Sequence, residues 1–547
     1  MKKLIRFITL CITCLLVAGI LYADKMAVNE RQETDDGFTR ADINIFSNIR
    51  ERTQTAEGYA DKKSKEVDAR SSGQGKKKET EFEITVPEQV KVLLSNDGSY
   101  VQNTVKFSCT GAYTISVDGK QCISYKKDDV INIETFVEEH AFDYIMVKPA
   151  KASDRVVLES FEKSGGTPSY RGTIRIQKKD GYIVTNEIGL EEYLYAVVSS
   201  EMPSSYEKEA LKAQAVCARS YAVNRIQDHA YEKYGADLDD TTACQVYNNI
   251  FETPETIEAV QETAGKVLTS DGETIQAYFF STSCGTTCRN DDVWGGEKLS
   301  YLNDQLETYG ETERKLDGAP VMLDQGYFQI ADGRLSTEEV FRDFIDGKLY
   351  VNSIEKEEPM YRWSIDYSKE QIQSAVSQGL LQVADGSLTF YDKEGNEADR
   401  LSEFAEKGTD AILGTIKNIK ITARGNSGIA QSMVIYGKQG AVKVDGQMSI
   451  RQVLYPSKVE IIKQDDSRVM GWPLLPSAYF YIEKDNEGVY HLHGGGFGHG
   501  VGMSQNGAND LAGNGYKYEE ILMHYFYGTD MNKINETGLV TNEEIQR

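Results

Sequence analysis

Apolar and polar residues alternate along much of the chain, and this period of two predicts β-strands. From Glu83 the sequence reads EITVPEQVKVLLS, then NTVKFSCTGAYTISVDGKQ and INIETFVEE, and Tyr170–Gly189 repeats the alternation. Asp118-Gly119 and Asp180-Gly181 are dipeptides typical of the turns in β-hairpins. Both regions are therefore predicted to form short strands joined by hairpins.

Two later stretches show the same alternation, at Thr274–Thr282 and at Ile416–Val459, which includes the run KITARGNSGIAQSMVIYG. Strand-like segments outnumber helical ones, and one helical segment has a much clearer helical pattern than the others. The predicted fold class is therefore α+β, a strand-rich domain with one prominent central helix, preceded by a β-rich segment.

The prominent helix is predicted at Glu207–Ala230, which lacks Gly and Pro and is rich in Ala, Lys, Arg and Glu. A second helix is predicted at Ser336–Ile345, and a third near Tyr518–Phe526, where Gly528 stops it. Ser-x-x-Glu capping boxes are expected at the start of the first two helices, formed by Ser204 with Glu207 and by Ser336 with Glu339.

The N-terminal residues have the features of an export segment. An apolar run from Phe7 to Ala23 follows basic residues, and its length lies between that of a signal-peptide core and that of a membrane span. We favour an uncleaved single-span anchor over a cleaved signal, which would leave the protein secreted. The next stretch, Asp24–Glu79, is charged and poor in aromatic residues, so we interpret it as a disordered tether with a reach of roughly 40 Å.

These patterns divide the 547 residues into five segments. They are a membrane anchor or signal segment at 1–23, a disordered charged tether at 24–80, a β-rich part at 81–168, the main domain at 169–533 and a polar tail at 534–547. This order predicts a folded part that is held at the cell membrane on its extracytoplasmic side.

The formal net charge is −25, which argues against nucleic acid as a partner because binding it requires neutralising phosphates. A polyanionic substrate would be repelled, whereas neutral glycan strands are compatible with this charge. An acidic surface can equally serve solubility alone.

Six of the eight cysteines lie beyond the apolar N-terminal segment, where disulfides can form if that part is exported. Cys109 and Cys122 flank a predicted hairpin and could be paired. The remaining four cluster in the central region and allow three pairings among themselves. They are Cys217, Cys244, Cys284 and Cys288.

The stretch His493–Ala508, HGGGFGHGVGMSQNGA, has seven glycines in sixteen residues. Glycine at this density indicates backbone in conformations that side chains forbid, or backbone that something approaches closely. A phosphate-binding loop does not fit, because the order strand–GxxxxGK[ST]–helix is missing. The stretch resembles the closing motif of the stage II sporulation protein D (SpoIID/LytB) family, and it departs from that motif mainly at Asn506.

A second block, EEYLYAVVSSEMPSSYEKEALKAQAVCARSYA at Glu191–Ala222, resembles the other defining block of the same family. Ala196 and Ser220 replace a glycine and a threonine, and Cys217 stands where a small residue is usual. Together with shorter matches such as Gln245-Val246-Tyr247, the resemblance covers roughly residues 90 to 531. It implies a SpoIID-type domain and a peptidoglycan lytic transglycosylase, acting in cell-wall remodelling during sporulation (engulfment).

The resemblance maps the catalytic acid/base of the family to Glu201, which precedes Met202-Pro203. One carboxyl group suffices for this chemistry, because it can protonate the glycosidic oxygen and then take the proton of the muramoyl C6 hydroxyl. A hydrolase would need a second carboxylate, and none stands out at a fixed spacing. The alternative is a surface glutamate in the turn before a helix, although Pro203 favours a constrained position.

Further substrate-binding candidates follow from polar residues within the matched motifs, and for Arg219 from the counterpart that the family places in the groove. A guanidinium could hold sugar hydroxyls or a carboxylate, although charged residues on helices usually just face water. A serine hydrolase is disfavoured because no nucleophile-elbow pattern surrounds the serines. The candidates are Lys212, Gln214, Arg219, Ser281, Ser283, His499, Ser504 and Gln505.

No cofactor is expected, although two places in the sequence contain residue types that bind zinc. His491, His493 and His499 could form a ligand trio, but only His499 falls on a histidine of the family motif. The resemblance implies that some family members bind zinc through a Cys-x4-His-Cys cluster just before the Gln-x-Tyr motif. This chain has Leu238, Ala243 and Cys244 there, so two of the three ligands are missing. We therefore predict a cystine, with Cys244–Cys284 as the favoured pair, and no metal.

Three functions from different classes remain open on the sequence. The favoured one is the membrane-anchored lytic transglycosylase, since the block around Glu201 is intact. The others are a non-catalytic glycan-binding amidase enhancer, which the name LytB implies, and a hydrolytic muramidase. The expected partners are peptidoglycan glycan strands and, beyond these, a cell-wall amidase and other sporulation membrane proteins.

Overall fold

The computed structural model describes residues 89–541, apart from 249, 310–318, 324–325, 331–333, 348, 351–352, 384 and 535–539. The predicted anchor, the predicted tether and most of the predicted polar tail lie outside the described residues. Everything described here belongs to one unit of the chain, which spans Ala41–Arg547.

Helices and strands from all parts of this range form a mixed α+β fold, as predicted. The helices are α1 (Ile133–Glu139), α2 (Leu190–Glu201), α3 (Lys208–Asp228), α4 (Pro254–Glu262), α5 (Asn290–Trp294), α6 (Glu338–Ile345), α7 (Lys369–Gly379), α8 (Leu401–Lys407), α9 (Thr409–Ile412), α10 (Gln447–Val453), α11 (Gln505–Gly513) and α12 (Tyr518–Tyr525). Short 3-10 helices lie at Glu232–Tyr234, Arg334–Ser336, Pro359–Tyr361, Leu380–Gln382 and Asp385–Ser387.

The largest sheet begins the described part of the chain. In spatial order its strands are Leu238–Asp239, Gln89–Leu93, Gly181–Gly189, Thr173–Lys179, Tyr144–Pro149, Tyr113–Val117 and Gln121–Tyr125, with Val101–Gln102 also paired to Gly181–Gly189. Both predicted hairpins are present in it, and Asp118 and Gly119 have φ values of 47° and 67°, which the tight turn requires. Strands from both sides of residue 168 thus share one sheet.

Six smaller sheets complete the fold. Their strands, in spatial order, are Ile131–Asn132, Lys106–Cys109, Val156–Val157 and Ser169–Tyr170; Glu273–Thr274, Lys266–Ser270, Asp530–Ile534 and Val540–Thr541; Phe279–Phe280 and Met503–Ser504; Gly326–Ile330, Ala319–Leu323 and Leu349–Tyr350; Arg468–Met470, Glu460–Lys463, Trp363–Tyr367, Tyr490–Gly494 and Phe480–Lys484; Leu388–Tyr391, Ala441–Asp445, Ala430–Gly437 and Ile416–Arg424.

The central helix α3 organises the core around the site. It packs against α2, α4, α11, α12 and the strand Lys266–Ser270. Its buried positions lie all around the helix and are rich in alanine, which lets the neighbouring elements approach closely. Helix α3 therefore has no continuous polar face, which is typical of a helix that other elements enclose on every side.

Several local predictions need correction. Ser204 does not cap α3, because Glu207 itself is the N-cap residue and makes no side-chain capping bond. Helix α6 is capped by Thr337 rather than Ser336, which ends a short 3-10 helix. The predicted strand Thr274–Thr282 breaks into Glu273–Thr274 and Phe279–Phe280, and the β-rich stretch Ile416–Val459 also contains α10.

Helix α2 was not predicted at all. Its sequence LEEYLYAVVSSE places tyrosine and β-branched residues in succession, which reads as strand by propensity. Seven of its twelve residues are buried. Packing against α3 and α4 therefore overrides the local preference.

Candidate functional site

Glu201 is the last residue of α2 and is partly exposed. Its Oε1 accepts a hydrogen bond of 2.7 Å from the backbone N–H of Val246. Its backbone carbonyl accepts a bond of 3.1 Å from Nε2 of Gln505, the first residue of α11. Two segments that are far apart in the chain therefore meet at Glu201.

Gln505 is the candidate that the structure places directly beside Glu201. It is 9% exposed, and its Nε2 also lies 3.5 Å from Oε1 of Gln214. Gln214 lies on α3 and is fully buried, so it can support Gln505 but has no surface to offer a substrate. The pair fixes the end of α2 against the start of α11.

The glycines of the closing segment allow close packing within the chain itself. A Cβ on Gly502, where φ is 78°, would lie 2.1 Å from the carbonyl oxygen of Tyr278. A Cβ on Gly496, where φ is 76°, would lie 2.9 Å from the backbone nitrogen of Cys284. At these two positions only glycine combines the positive φ with the space available.

Asn506, the residue that departs from the family motif, ties α11 to the turn after Glu201. Its Oδ1 accepts a hydrogen bond from the hydroxyl of Tyr206, and its Nδ2 donates to Oγ1 of Thr282 at 2.8 Å. Its backbone N–H donates to the carbonyl of Ser281 at 3.0 Å. Ser281 is itself partly exposed, and this contact places its backbone at the start of α11, next to Gln505.

Ser504 and Ser283 are buried, and both contact a glutamate that the sequence did not single out. The hydroxyl of Ser504 donates to Oε2 of Glu355 at 2.8 Å, and the N–H of Ser283 donates to Oε1 at 3.0 Å. The Ser283 hydroxyl accepts from the N–H of Gly285 at 3.0 Å. Both serines are thus engaged within the core, and their predicted part in substrate binding stays a prediction.

Glu355 is 2% exposed and has a φ of 57°, which is unusual for a residue with a side chain. Burial raises the pKa of its carboxyl well above the usual value, and the nearby charge of Glu307 raises it further. Its backbone N–H donates to Oδ2 of Asp510 on α11 at 2.8 Å. No motif surrounds it in the sequence, so only its burial could have identified it.

Two of the candidates on α3 have their charges paired within the protein. Arg219 is fully buried, and its Nε and Nη2 contact the carboxylate of Glu191 at 2.8 and 2.7 Å while Nη1 donates to the carbonyl of Lys266. The guanidinium of Arg219 is thus engaged inside the protein, and its predicted place in a substrate groove stays a prediction. Lys212 forms an ion pair with Glu209 at 2.9 Å and lies over the ring of Tyr518, so its charge is already engaged.

His499 lies in an aromatic cluster rather than beside Glu201. Its Nδ1 accepts a hydrogen bond of 3.0 Å from the N–H of Val501. Its ring lies 5.1 Å from Trp294 and 5.7 Å from Phe280, measured between centroids. Burial, together with the positive charge of Arg451, lowers the pKa of His499 to about 3, so the imidazole is neutral at neutral pH.

The histidine trio is not assembled as a metal site. His491 contacts Asp366 at 2.7 Å, whereas His493 stacks on Tyr481 with ring centroids 5.0 Å apart. His499 has different neighbours again, as described above. The three side chains therefore have separate partners.

The structure contradicts the predicted Cys244–Cys284 pair, since both thiols are free. Sγ of Cys244 lies 3.7 Å from the hydroxyl of Tyr231, and Sγ of Cys284 lies 3.6 Å from Oγ1 of Thr286. Burial raises the pKa of the two thiols to about 12 and about 11. They stay protonated at neutral pH and are poor metal ligands in that form. Cys109 and Cys122 are likewise free.

Within the described part of the chain, one group of side chains has ligand atoms within 4.8 Å of one another, namely Cys288, Asp292 and Asp304. Arg289 already lies between the two carboxylates, at 3.2 Å from Asp292 and 3.7 Å from Asp304. The cluster thus contains its own counter-charge. The expectation that the protein binds no cofactor stays a prediction.

Comparison with known proteins agrees with the resemblance in the sequence. Residues 178–270 match the family model for the stage II sporulation protein, SpoIID, and this range contains α2, Glu201 and α3. Residues 393–502 match a domain of unknown function, DUF8618, which includes the first part of the glycine segment.

Three curated relatives are similar to this chain. The amidase enhancer of Bacillus subtilis (strain 168) is 26% identical over 511 residues, which is 83% of this chain and 63% of the relative. Stage II sporulation protein D of Bacillus amyloliquefaciens is 26% identical over 389 residues, 68% of this chain and 83% of the relative. Its counterpart from Bacillus subtilis is 40% identical over 129 residues, 21% of this chain and 37% of the relative.

Residues 178–270 of this chain therefore match the SpoIID family, and most of its length is similar to an amidase enhancer and to a stage II sporulation protein D. The matched range contains Glu201, and the structure places this residue against Gln505 of the glycine segment.

Proposed function

We propose that the protein is a peptidoglycan lytic transglycosylase that uses Glu201 as its acid and base. The observation that carries the proposal is the position of Glu201, which is partly exposed at the end of α2 and fixed there from two sides. A carboxyl group must be both reachable and oriented to transfer protons to a bound glycan. The glutamates that support the fold, such as Glu355, are buried instead.

The hydrogen bond from Val246 orients the carboxyl group of Glu201. Because Oε1 is the acceptor in this bond, a proton on the other oxygen is compatible with it. The bond would also stabilise the carboxylate once that proton has left. One group can thus serve in both halves of the reaction.

The reaction is balanced without water. Glu201 gives its proton to the glycosidic oxygen as the bond from that oxygen to C1 of N-acetylmuramic acid breaks. The Glu201 carboxylate then takes the proton of the C6 hydroxyl, whose oxygen forms a new bond to C1. The 1,6-anhydro product leaves with no atom gained or lost, and Glu201 is protonated again.

The biological setting is part of the same proposal. The enzyme would be held at the cell membrane by its N-terminal segment and would cut glycan strands in the overlying wall during sporulation. In the described range no helix is long and apolar enough to cross a membrane, and residues 1–23 lie outside that range. A cell-wall amidase and other sporulation membrane proteins would be its partners.

A second candidate function is a non-catalytic enhancer of an amidase. The observation that favours it is the 26% identity, over 83% of this chain, to a relative named amidase enhancer. The enhancer would bind glycan in the same region without breaking the strand. The two functions differ in whether Glu201 transfers protons.

Digestion of purified peptidoglycan by the full chain tests the proposal. We expect muropeptides with 1,6-anhydro ends, which mass spectrometry separates from hydrolysed products because they are one water lighter. Glu201→Gln should remove this activity, whereas Glu192→Gln, the same change on the same helix, should keep it. Hydrated ends would indicate a muramidase, and no product with or without Glu201 would favour the enhancer.

The enhancer alternative has its own readout. A purified cell-wall amidase is assayed on peptidoglycan with the wild-type chain and with Glu201→Gln. Equal stimulation by both proteins, with no anhydro product from either, would replace the proposed function with the enhancer. Release of anhydro product by the wild type alone would support the transglycosylase.

A further inference from the structure

Trp294 forms an exposed aromatic surface together with two rings that hold it in place. It is the last residue of α5 and is 46% exposed. Its ring centroid lies 4.7 Å from that of Tyr278 and 5.1 Å from that of His499. Gly295, with a φ of 72°, ends the helix directly after it. These three rings are called the Trp294 platform below.

The platform is fixed rather than loosely attached. Tyr278 packs on Tyr221 of the central helix with ring centroids 5.8 Å apart, and its hydroxyl donates to Oε1 of Gln276 at 2.5 Å. His499 is fixed by the hydrogen bond from Val501. An aromatic surface that is already ordered loses little conformational entropy when a ligand covers it.

Continuous backbone connects the platform with the site at Glu201. The strand Phe279–Phe280 follows Tyr278 and pairs in parallel with Met503–Ser504. At the far end of this pair, the carbonyl of Ser281 accepts from the N–H of Asn506, next to Gln505. Tyr278 is three residues before Ser281, and three extended residues span roughly 10 Å, so this strand leads from the platform toward the start of α11, where Gln505 contacts Glu201.

The chemistry of the platform fits a neutral sugar. The ring faces of a pyranose carry C–H groups that pack on aromatic rings, and nearby polar groups then fix its orientation. The imidazole of His499 is neutral at neutral pH, because its pKa is lowered to about 3. With a net charge of −25, the protein would repel a polyanion such as a phosphate-rich polymer.

We propose that the Trp294 platform binds a pyranose ring of a neutral amino-sugar glycan, a few residues along the strand from the bond at Glu201. The inference rests on the proposed function, because it takes the glycan strand of peptidoglycan as the ligand. It adds a binding position that lies outside the matched range 178–270.

Binding of N-acetylglucosamine oligomers to the full chain carrying Glu201→Gln tests the platform. The chain has three tryptophans, and Trp363 is only 3% exposed, so quenching of tryptophan fluorescence by acrylamide reports mainly on the exposed ones. We expect the oligomer to protect Trp294 from the quencher. Adding Trp294→Ala should weaken the affinity about tenfold, and Trp294→Phe should keep most of it.

Tyr436→Ala is the matched control, because Tyr436 is 40% exposed on another sheet and should leave the affinity unchanged. Thermal unfolding of each variant shows whether the fold is kept. Unchanged affinity in a folded Trp294→Ala protein would overturn the inference. If Trp294→Phe also loses all affinity, stacking on an aromatic ring is the wrong explanation and the proposal falls.

The platform and the proposed function can fail separately. If the wild type releases anhydro products while Trp294→Ala binds normally, the platform is wrong and the transglycosylase stands. If Trp294→Ala weakens binding while the wild type releases no anhydro product, the chain binds glycan at the platform without cutting it. The inference about the platform would then survive and the proposed function would not.

Discussion

Two glutamates of this protein, Glu201 and Glu355, have opposite surroundings although both contact the glycine segment. Glu201 is partly exposed and accepts a hydrogen bond from a backbone amide. Glu355 is 2% exposed and accepts from Ser504 and Ser283. The first can reach a ligand and the second cannot. A carboxyl group near a motif is therefore informative about chemistry only when its exposure is known.

The two glutamates also contact the start of α11 in different ways. Gln505 at the start of α11 contacts the backbone of Glu201, while Ser504, the residue before it, contacts the side chain of Glu355. Ser504 caps α11 by accepting from the N–H of Gly507 at 3.2 Å. Glu355 can thus act on the site only through the position of α11. The predictions below test this division between chemistry and support.

The largest effect is expected from Glu201→Gln. The side chain keeps its size and can still accept from Val246, but it cannot donate and recover a proton. The rate of anhydro-muropeptide release should fall by about 10²–10⁴. The melting temperature should change little, which differential scanning calorimetry checks. If Glu201→Gln loses activity because the protein no longer folds, Glu201 supports the fold as Glu355 does, and the result contradicts its role in the chemistry.

The second effect concerns stability. Glu355→Ala removes a buried acceptor from the Ser504 hydroxyl and the Ser283 amide, so the free energy of unfolding should fall by about 2–4 kcal/mol. Urea unfolding followed by fluorescence measures this. Glu357→Ala, two positions away at a side chain that is 91% exposed, should change it by less than about 0.5 kcal/mol. Equal stability of both variants would contradict the supporting role.

Local sequence patterns predict some of the elements and residues in this comparison, but not those that depend on distant contacts. The alternation around Asp118-Gly119 and the Ala-rich run of α3 are local signals, and both predicted their elements correctly. Glu201 could be singled out as a candidate because its motif is local too. Glu355 and the burial of Arg219 depend on contacts between segments that are far apart in the chain, which periodicity cannot show.

A third prediction uses pH. The folded state holds the proton of Glu355 more tightly than the unfolded chain, so the folded protein binds more protons and its stability falls as pH rises. The fall should begin near the unfolded value of about 4.3 and continue until the folded-state pKa is passed. Urea unfolding over this range should give a flatter profile for Glu355→Gln than for the wild type. If the free energy of unfolding changes with pH equally in both proteins, Glu355 is not the cause of the pH dependence.

The smallest effect is expected from Gln505→Ala. It removes one hydrogen bond to the backbone of Glu201, and a typical bond of this kind corresponds to about a two- to tenfold change in rate. We expect slower release of anhydro product with a nearly normal melting temperature. Asn514→Ala, at the other end of α11, is the control and should keep the wild-type rate. A full loss of activity in Gln505→Ala would mean that Gln505 takes part in the chemistry itself.

The contact between Gln505 and Glu201 joins residues that are 304 positions apart, and this separation has a consequence in time. At synthesis rates of about 5–20 residues per second, Gln505 leaves the ribosome roughly 15 to 60 s after Glu201. The acidic side chain therefore exists for that interval without the helix that positions it. A chain that is interrupted before residue 505 contains Glu201 but never completes its surroundings. The order of synthesis thus makes the assembly of this site one of the last events in the maturation of the protein.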